Sequence, residues 1–227
     1  MMNTSREKIL AKLKDVHSRP SNLHSAPANL DDDIKKKMDK ITADNPDDMW
    51  RLFQHEFELV SGEFFAEASP EHLVERFSHT IKEENVGKIG IPGDPFSSRI
   101  AGMISQKIPG LEIVNAMELS IRKNVISGIP VTVATASFAI ADTGTLAIFY
   151  DDVNSSLPYF LADVVLVAIE GKNILANQFE FFKNAPQEKL TNMVYITGPS
   201  RTADIEKVLV LGAHGPRRIV LGVVREL

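Results

Sequence analysis

Four short runs of this chain carry residue types that can do chemistry. The first is Asp142-Thr143-Gly144-Thr145, set between two apolar runs. Glycine there can take a positive φ and the aspartate can close an Asx-turn, so the plain reading is a hairpin turn. The sharper reading puts the Asp142 carboxylate at a strand end as nucleophile, general base or anchor for a substrate hydroxyl, with Thr143, Gly144 and Thr145 around the ligand. The second run is Thr197 to Glu206, TGPSRTADIE. It is expected to follow a strand and open a helix near Ser200. Ser200 would cap that helix. Its free N–H groups, with Gly198, Ser200, Arg201 and Thr202, would seat a carboxylate or phosphate. Asp204 and Glu206 complete this candidate site. The competing reading pairs Arg201 with one of these two acids and leaves Ser200 as a cap only.

The third run is Gly212-Ala213-His214-Gly215-Pro216-Arg217-Arg218. His214 lies in a glycine-flanked loop and can serve as an acid/base, or it can cap the end of the preceding helix. The fourth is Ile91-Pro92-Gly93-Asp94-Pro95-Phe96-Ser97-Ser98. Here a strand ends, Asp94 can cap, and Pro95 suits the first helical position. Its location favours a ligand, although its side chains are generic.

The elements that must position these runs follow from apolar periodicity. From residue 86 onward, short apolar runs alternate with helical stretches. Strands are expected at 86–91, 111–114, 131–141, 145–150, 164–169, 193–197 and 218–224, with helices at about 96–108, 171–182 and 201–211. That alternation implies an α/β fold, a mostly parallel sheet flanked by helices on both faces. Residues 1–84 read as a helical N-terminal extension. Thr4 and Glu7 have capping-box spacing, Asp31-Asp32-Asp33 precedes a lysine run, and Trp50, Phe53, Phe57, Val60 and Phe64 form a stripe over residues 47–66. A further helix is expected from Pro70 to about residue 84. The division is therefore 1–84 for the extension and 85–227 for the α/β domain.

Composition narrows the function. The 227 residues carry 44% hydrophobic and 24% charged side chains and a formal net charge of −5. That charge gives no general pull toward nucleic acid. No apolar run reaches the length of a membrane span, and a cytoplasmic location is expected. There is no cysteine, so this chain offers no thiolate nucleophile and no cysteine-ligated cluster. The six histidines have no zinc-motif spacing, and no metal site is expected.

Two runs together carry a family resemblance. Phe138-Ala139-Ile140-Ala141-Asp142-Thr143-Gly144-Thr145-Leu146 resembles the F-A-I-A-[DE]-T-G-[ST] signature of LUD domains. TGPSRTADIE, followed by Leu209-Val210-Leu211-Gly212-Ala213-His214-Gly215-Pro216, is similar to the C-terminal signature of the lactate-utilisation protein C family. The resemblance covers about residues 85–227. It implies a NagB/RpiA/CoA-transferase-like fold and a role in oxidising L-lactate to pyruvate. It also implies iron–sulfur lactate-utilisation proteins as partners, with the clusters held in those partners and no cofactor in this chain. A homodimer is one option for its assembly. By analogy with CoA transferases, Asp142 stands where a catalytic glutamate would. Two stretches depart from the family pattern. Gly128-Ile129-Pro130-Val131-Thr132-Val133-Ala134-Thr135-Ala136 replaces a G-I-T-G-A run, and Val165 stands where a histidine is usual. The alternatives to the lactate role are a stand-alone isomerase or acyl/CoA-transferase-like enzyme acting through Asp142, and a regulatory module that binds a small carboxylate or phosphate.

Overall fold

The structure, a computed structural model, describes residues 46–67, 69–119, 128–152, 154–203, 209–211 and 215–224. All of them belong to one compact unit, Ile41–Leu227. The helices expected within residues 1–45 lie outside the described residues.

The chain enters through α1 (Pro46–Leu59), whose Phe53 and Phe57 are fully buried. The apolar stripe predicts a helix reaching residue 66, but α1 stops at Leu59. Ser61 turns to φ 66°, and the Gly62 N–H donates to the Phe57 carbonyl at 2.8 Å. A Cβ on Gly62 would strike the Phe57 ring, so glycine is needed for this sharp exit. The next residues form a strand, β1 (Glu63–Glu67), in which Phe64 and Phe65 face opposite sides of the sheet. Alternation here overrides the helical spacing. Part of the expected helical extension is thus the edge strand of the main sheet.

Then follow α2 (Pro70–Glu83), β2 (Lys88–Ile91), α3 (Pro95–Lys107), β3 (Glu112–Asn115), α4 (Ala116–Leu119) and β4 (Val131–Thr135). After β4 come β5 (Phe138–Ile140), a 3-10 turn (Ala141–Thr143), β6 (Thr145–Phe149), α5 (Pro158–Leu161) and β7 (Val164–Glu170). A second 3-10 turn (Gly171–Asn173) leads into β8 (Ile174–Leu175), α6 (Gln178–Asn184), β9 (Met193–Ile196), β10 (Arg201–Ala203), β11 (Leu209–Leu211) and β12 (Arg218–Val224). The main sheet has the order β1-β12-β7-β4-β2-β3, and every pairing in it is parallel. A second, mostly antiparallel sheet has the order β8-β5-β6-β9.

The period-2 pattern of β7 sorts the core into two layers. Val165, Val167 and Ile169 face α1 and the second sheet. Val164, Leu166 and Ala168 face α2 and α3. The second sheet was not anticipated. It arises because β4 does not run on to residue 141. At Ala136 the chain makes a last main-sheet bond, its N–H donating to the Ala168 carbonyl at 3.0 Å, and Ser137 then donates to Ala147 in the other sheet. Val165, where the family places a histidine, is 1% exposed inside the first core layer.

Two charged residues lock the edge strand in place. Arg218, opening β12, donates to both oxygens of Glu63 at 2.5 and 2.8 Å and to Glu84 at 3.3 Å, and Arg217 also bonds Glu84. The two arginines are therefore structural partners of β1 and of the end of α2. On the opposite face, a Cβ on Gly222 would lie 2.1 Å from Leu73 Cδ1, so α2 rests directly on the β12 backbone. Gly222→Ala should destabilise the fold by about 1–3 kcal/mol through overpacking, and Leu73→Ala by about 2–5 kcal/mol through a cavity. In the double variant the two losses should sum to less than their separate values, read as a coupling in a urea-unfolding double-mutant cycle.

Candidate functional site

The first signature run folds as strand, 3-10 turn and strand. Ala139 and Ala141 point into the core layer under α1, while Phe138 and Ile140 pack toward α6. Gly144 adopts the left-handed conformation at φ 59°. A Cβ there would stand 2.5 Å from the Phe57 backbone nitrogen, so the turn touches the backbone of α1. Asp142 sits beneath that contact. Its N–H donates to the Ala176 carbonyl at 3.0 Å, and its Oδ1 is buried without a hydrogen-bond partner among the described residues. Burial is the main cause raising the Asp142 pKa above the ordinary carboxylate range. Thr143 and the backbone N–H pull it down, and nearby Glu56 raises it further.

The second run stands directly beside the first. β6 pairs antiparallel with β9, placing Leu146 opposite Ile196, and the hydroxyls of Thr145 and Thr197 are 2.8 Å apart. Gly198, at φ 78°, rests against the Val60 carbonyl just past the end of α1, 2.5 Å from where a Cβ would stand. The two glycine turns, from segments far apart in sequence, thus meet the same end of one helix.

Among the described residues beyond Ser200 the expected helix is not formed. Residues 201–203 and 209–211 form an antiparallel hairpin, with Arg201 opposite Leu211 and Ala203 opposite Leu209. The Leu209-Val210-Leu211 run favours a paired strand, and ladder bonds use the backbone groups that a helix start would leave free. Ser200 is therefore not a helix cap: its N–H donates to the Pro216 carbonyl at 2.8 Å. Arg201 is exposed and donates to the Ser61 hydroxyl rather than opening toward a ligand. Asp204, Glu206, His214 and the side chain of Thr202 lie outside the described residues.

A crevice of about 190 Å³ opens along the second run. It is lined by Tyr159, Phe160, Tyr195, Ile196, Thr197, Gly198, Ser200, Gly215 and Pro216. The lining offers the hydroxyls of Thr197 and Ser200 and, among the described residues, contains no carboxylate. Asp142 is not part of it, although Thr145 joins the two runs through Thr197. The fully buried Tyr159 donates its hydroxyl to the Thr135 carbonyl at 2.7 Å. Burial foremost, then nearby Asp94, raises the phenol pKa far above its ordinary value. Tyr159 was not singled out in the sequence, and a lone tyrosine after proline gives no signal of this contact.

The fourth run folds as expected. Asp94 caps α3, its Oδ1 accepting from the N–H groups of Phe96 at 3.1 Å and Ser97 at 2.8 Å. Among the described residues, no group of three or more metal-ligating side chains stands together, and no helix is long and apolar enough to cross a membrane.

The LUD domain family model matches residues 51–224. The chain belongs to the LUD-domain family. This LUD domain is 22% identical over 194 residues to lactate utilization protein C of Geobacillus thermodenitrificans, covering 79% of this chain and 80% of that one. It is 31% identical over 94 residues to lactate utilization protein C of Bacillus subtilis and 36% identical over 93 residues to an uncharacterised protein of Neisseria meningitidis. Each of these two matches spans 38% of either chain, so the alignment covers about two fifths of those relatives' length. The LUD fold is also that of a crystal structure of a DUF162 family protein from Deinococcus radiodurans. The TM-score is 0.56 at 14% identity, over 79% of this chain and 98% of the other.

The buried oxygen of Asp142 has a consequence for stability. Because the folded pKa is raised, the native state binds more protons than the unfolded chain between the ordinary carboxylate pKa and the folded value, and stability falls as pH rises through that window. Asp142→Asn removes the charge while keeping the shape. Thermal melts should show this variant above the wild type at neutral pH, with the gap closing as pH drops toward about 4.

Proposed function

We propose that this LUD-domain protein acts in L-lactate utilisation, as the subunit without iron–sulfur clusters in the oxidation of L-lactate to pyruvate. The observation that carries the reading is the alignment with a lactate utilization protein C over about four fifths of both chains. Oxidising lactate removes two electrons and two protons. The 227 residues contain no cysteine to ligate a cluster, so the electrons pass to iron–sulfur partner proteins while this chain holds the hydroxy acid. The crevice beside Thr197 and Ser200 supports that division of labour. Its volume suits a three-carbon acid, the Ser200 hydroxyl can donate to a carboxylate, and no carboxylate stands among the described lining residues. Asp142 and His214 are the acid/base candidates. His214 immediately precedes the crevice residue Gly215 in sequence.

Deleting the gene should abolish growth on L-lactate and leave growth on pyruvate intact, and affinity capture of the tagged protein should recover a partner with iron–sulfur absorbance. Normal growth on lactate with no such partner would overturn the reading. In purified protein, Ser200→Val should weaken L-lactate binding about tenfold or more, measured by ligand-observed NMR.

A second reading, a stand-alone isomerase or acyl-transferase-like enzyme, is favoured by one observation: the buried Oδ1 of Asp142, without a hydrogen-bond partner among the described residues. It requires turnover by the isolated chain and loss of that turnover in Asp142→Asn. Turnover that survives this substitution eliminates it.

A further inference from the structure

A second crevice, of about 290 Å³, lies on a different part of the molecule. It is lined by Phe96, Thr135, Ala136, Ala168, Ile169, Glu170 and Asn173. Thr135 and Glu170 are the last residues of β4 and β7, and Phe96 belongs to the first turn of α3. The crevice therefore sits at the carboxyl ends of the parallel strands. It also flanks the point where strand order reverses, since β3 lies on one side of β2 and β4 on the other. Open α/β sheets bind ligands at such points.

Its chemistry is opposite to that of the first crevice. Glu170 continues the face of β7 that carries Val164, Leu166 and Ala168, which directs it toward α3. The carboxylate is 19% exposed. One oxygen, Oε2, meets Lys172 Nζ at 2.6 Å, but that lysine side chain is 70% exposed and the pair is weakly bound. Asn173 contributes an amide that has no side-chain hydrogen bond among the described residues. The Phe96 and Ser97 N–H groups, which would attract an anion at a helix start, already donate to Asp94. The Ser97 hydroxyl donates to Asp94 Oδ2 at 2.5 Å. The described lining residues thus hold a carboxylate acceptor, an amide and the aromatic Phe96, with Lys172 as the cation paired to Glu170.

The turn that carries Asn173 is held from behind. The Trp50 indole N–H donates to the Gly171 carbonyl at 3.3 Å, and a Cβ on Gly171 would overlap the indole ring. The polar groups of the crevice are therefore fixed before any ligand arrives.

From these features we infer that the crevice binds a neutral molecule bearing a vicinal diol, through Glu170 and Asn173, with an apolar face against Phe96. A carboxylate can accept from two adjacent hydroxyls at once, and an amide can donate to or accept from the ligand's edge. A phosphate or a small carboxylate would meet the Glu170 carboxylate, whose neighbouring cation, Lys172, is already engaged by that carboxylate. The shared chemistry has two sources, a nucleoside and a free sugar. The inference does not rest on the lactate reading.

The test uses the full chain with adenosine and D-glucose as probes in saturation-transfer NMR and calorimetry, beside their phosphate esters and dideoxyadenosine. At least one neutral probe should bind at millimolar concentration. Glu170→Gln and Asn173→Ala should each weaken that probe about tenfold while leaving the melting temperature and L-lactate binding unchanged. Tighter binding of adenosine assigns a nucleoside, and tighter binding of glucose assigns a free sugar. In the nucleoside case dideoxyadenosine should also bind about tenfold more weakly than adenosine. No binding of either neutral probe, binding indifferent to both substitutions, dideoxyadenosine binding as well as adenosine, or tighter binding of a phosphate ester would overturn the inference.

Discussion

The fold depends on close backbone approach at one helix. α1 meets the rest of the molecule where side chains are missing: Gly144 under the backbone of residues 56 and 57, Gly171 under the Trp50 ring, and Gly198 under the Val60 carbonyl just beyond the helix. Gly144 and Gly198 also take positive φ, so glycine is required there for two independent reasons. Three turns far apart in sequence are thereby fixed to one rigid rod. Phe53 and Phe57 then fill the space between that rod and the sheet, stacked at 5.3 Å between ring centroids. A larger residue at any of these three glycines has to lift the helix or move a turn, and either change reaches a crevice. Gly198 lines one crevice, and Gly171 separates Glu170 from Asn173 in the wall of the other.

That shared support explains how one small domain keeps two crevices of opposite character apart. The smaller one is walled by hydroxyls and aromatic rings, the larger by a carboxylate and an amide. Tyr159 lies between them. Its ring lines the smaller crevice, and its hydroxyl closes on the carbonyl of Thr135, which lines the larger. A fully buried phenol in this position donates to a strand-end carbonyl, and burial holds its pKa above the ordinary value. Rigid sharing of this kind lets each wall have its own electrostatics without a mobile loop between them.

Much of the fold was legible in the sequence because the central strands are uniform. A run such as Val164 to Ile169 has no reading other than a strand buried on both faces. The cap at Asp94 and the helix from Pro70 were equally plain, since proline and the capping acid state their positions directly. The failures share a cause. Residues 201–211 contain apolar side chains at helical spacing, yet only pairing between Arg201–Ala203 and Leu209–Leu211 shows which backbone groups find partners. Residues 131–141 read as one strand because nothing local marks Ala136 as the point where the chain changes sheets. Phe64 completed a helical stripe until Gly62 broke it. In the candidate site, the Asp142 and Thr197 runs were visible as motifs, and their adjacency was not, because it is made by long-range strand pairing. Glu170 carried a faint signal that was missed: an apolar strand ending in an acid just before glycine.

The signature residues can now be divided by what occupies them. Ala139 and Ala141 fill the core, Gly144 and Gly198 admit the helix, and Thr145 and Thr197 bond each other. Each of these is explained by packing. Asp142 is not. Its Oδ1 is buried without a hydrogen-bond partner among the described residues, and burying a carboxylate oxygen unpaired works against the folded state. Local choices that oppose stability in an otherwise consistent sequence mark positions held for another purpose. Within the first signature run one atom, Asp142 Oδ1, thus stands apart from packing, in a position the fold tolerates but does not require.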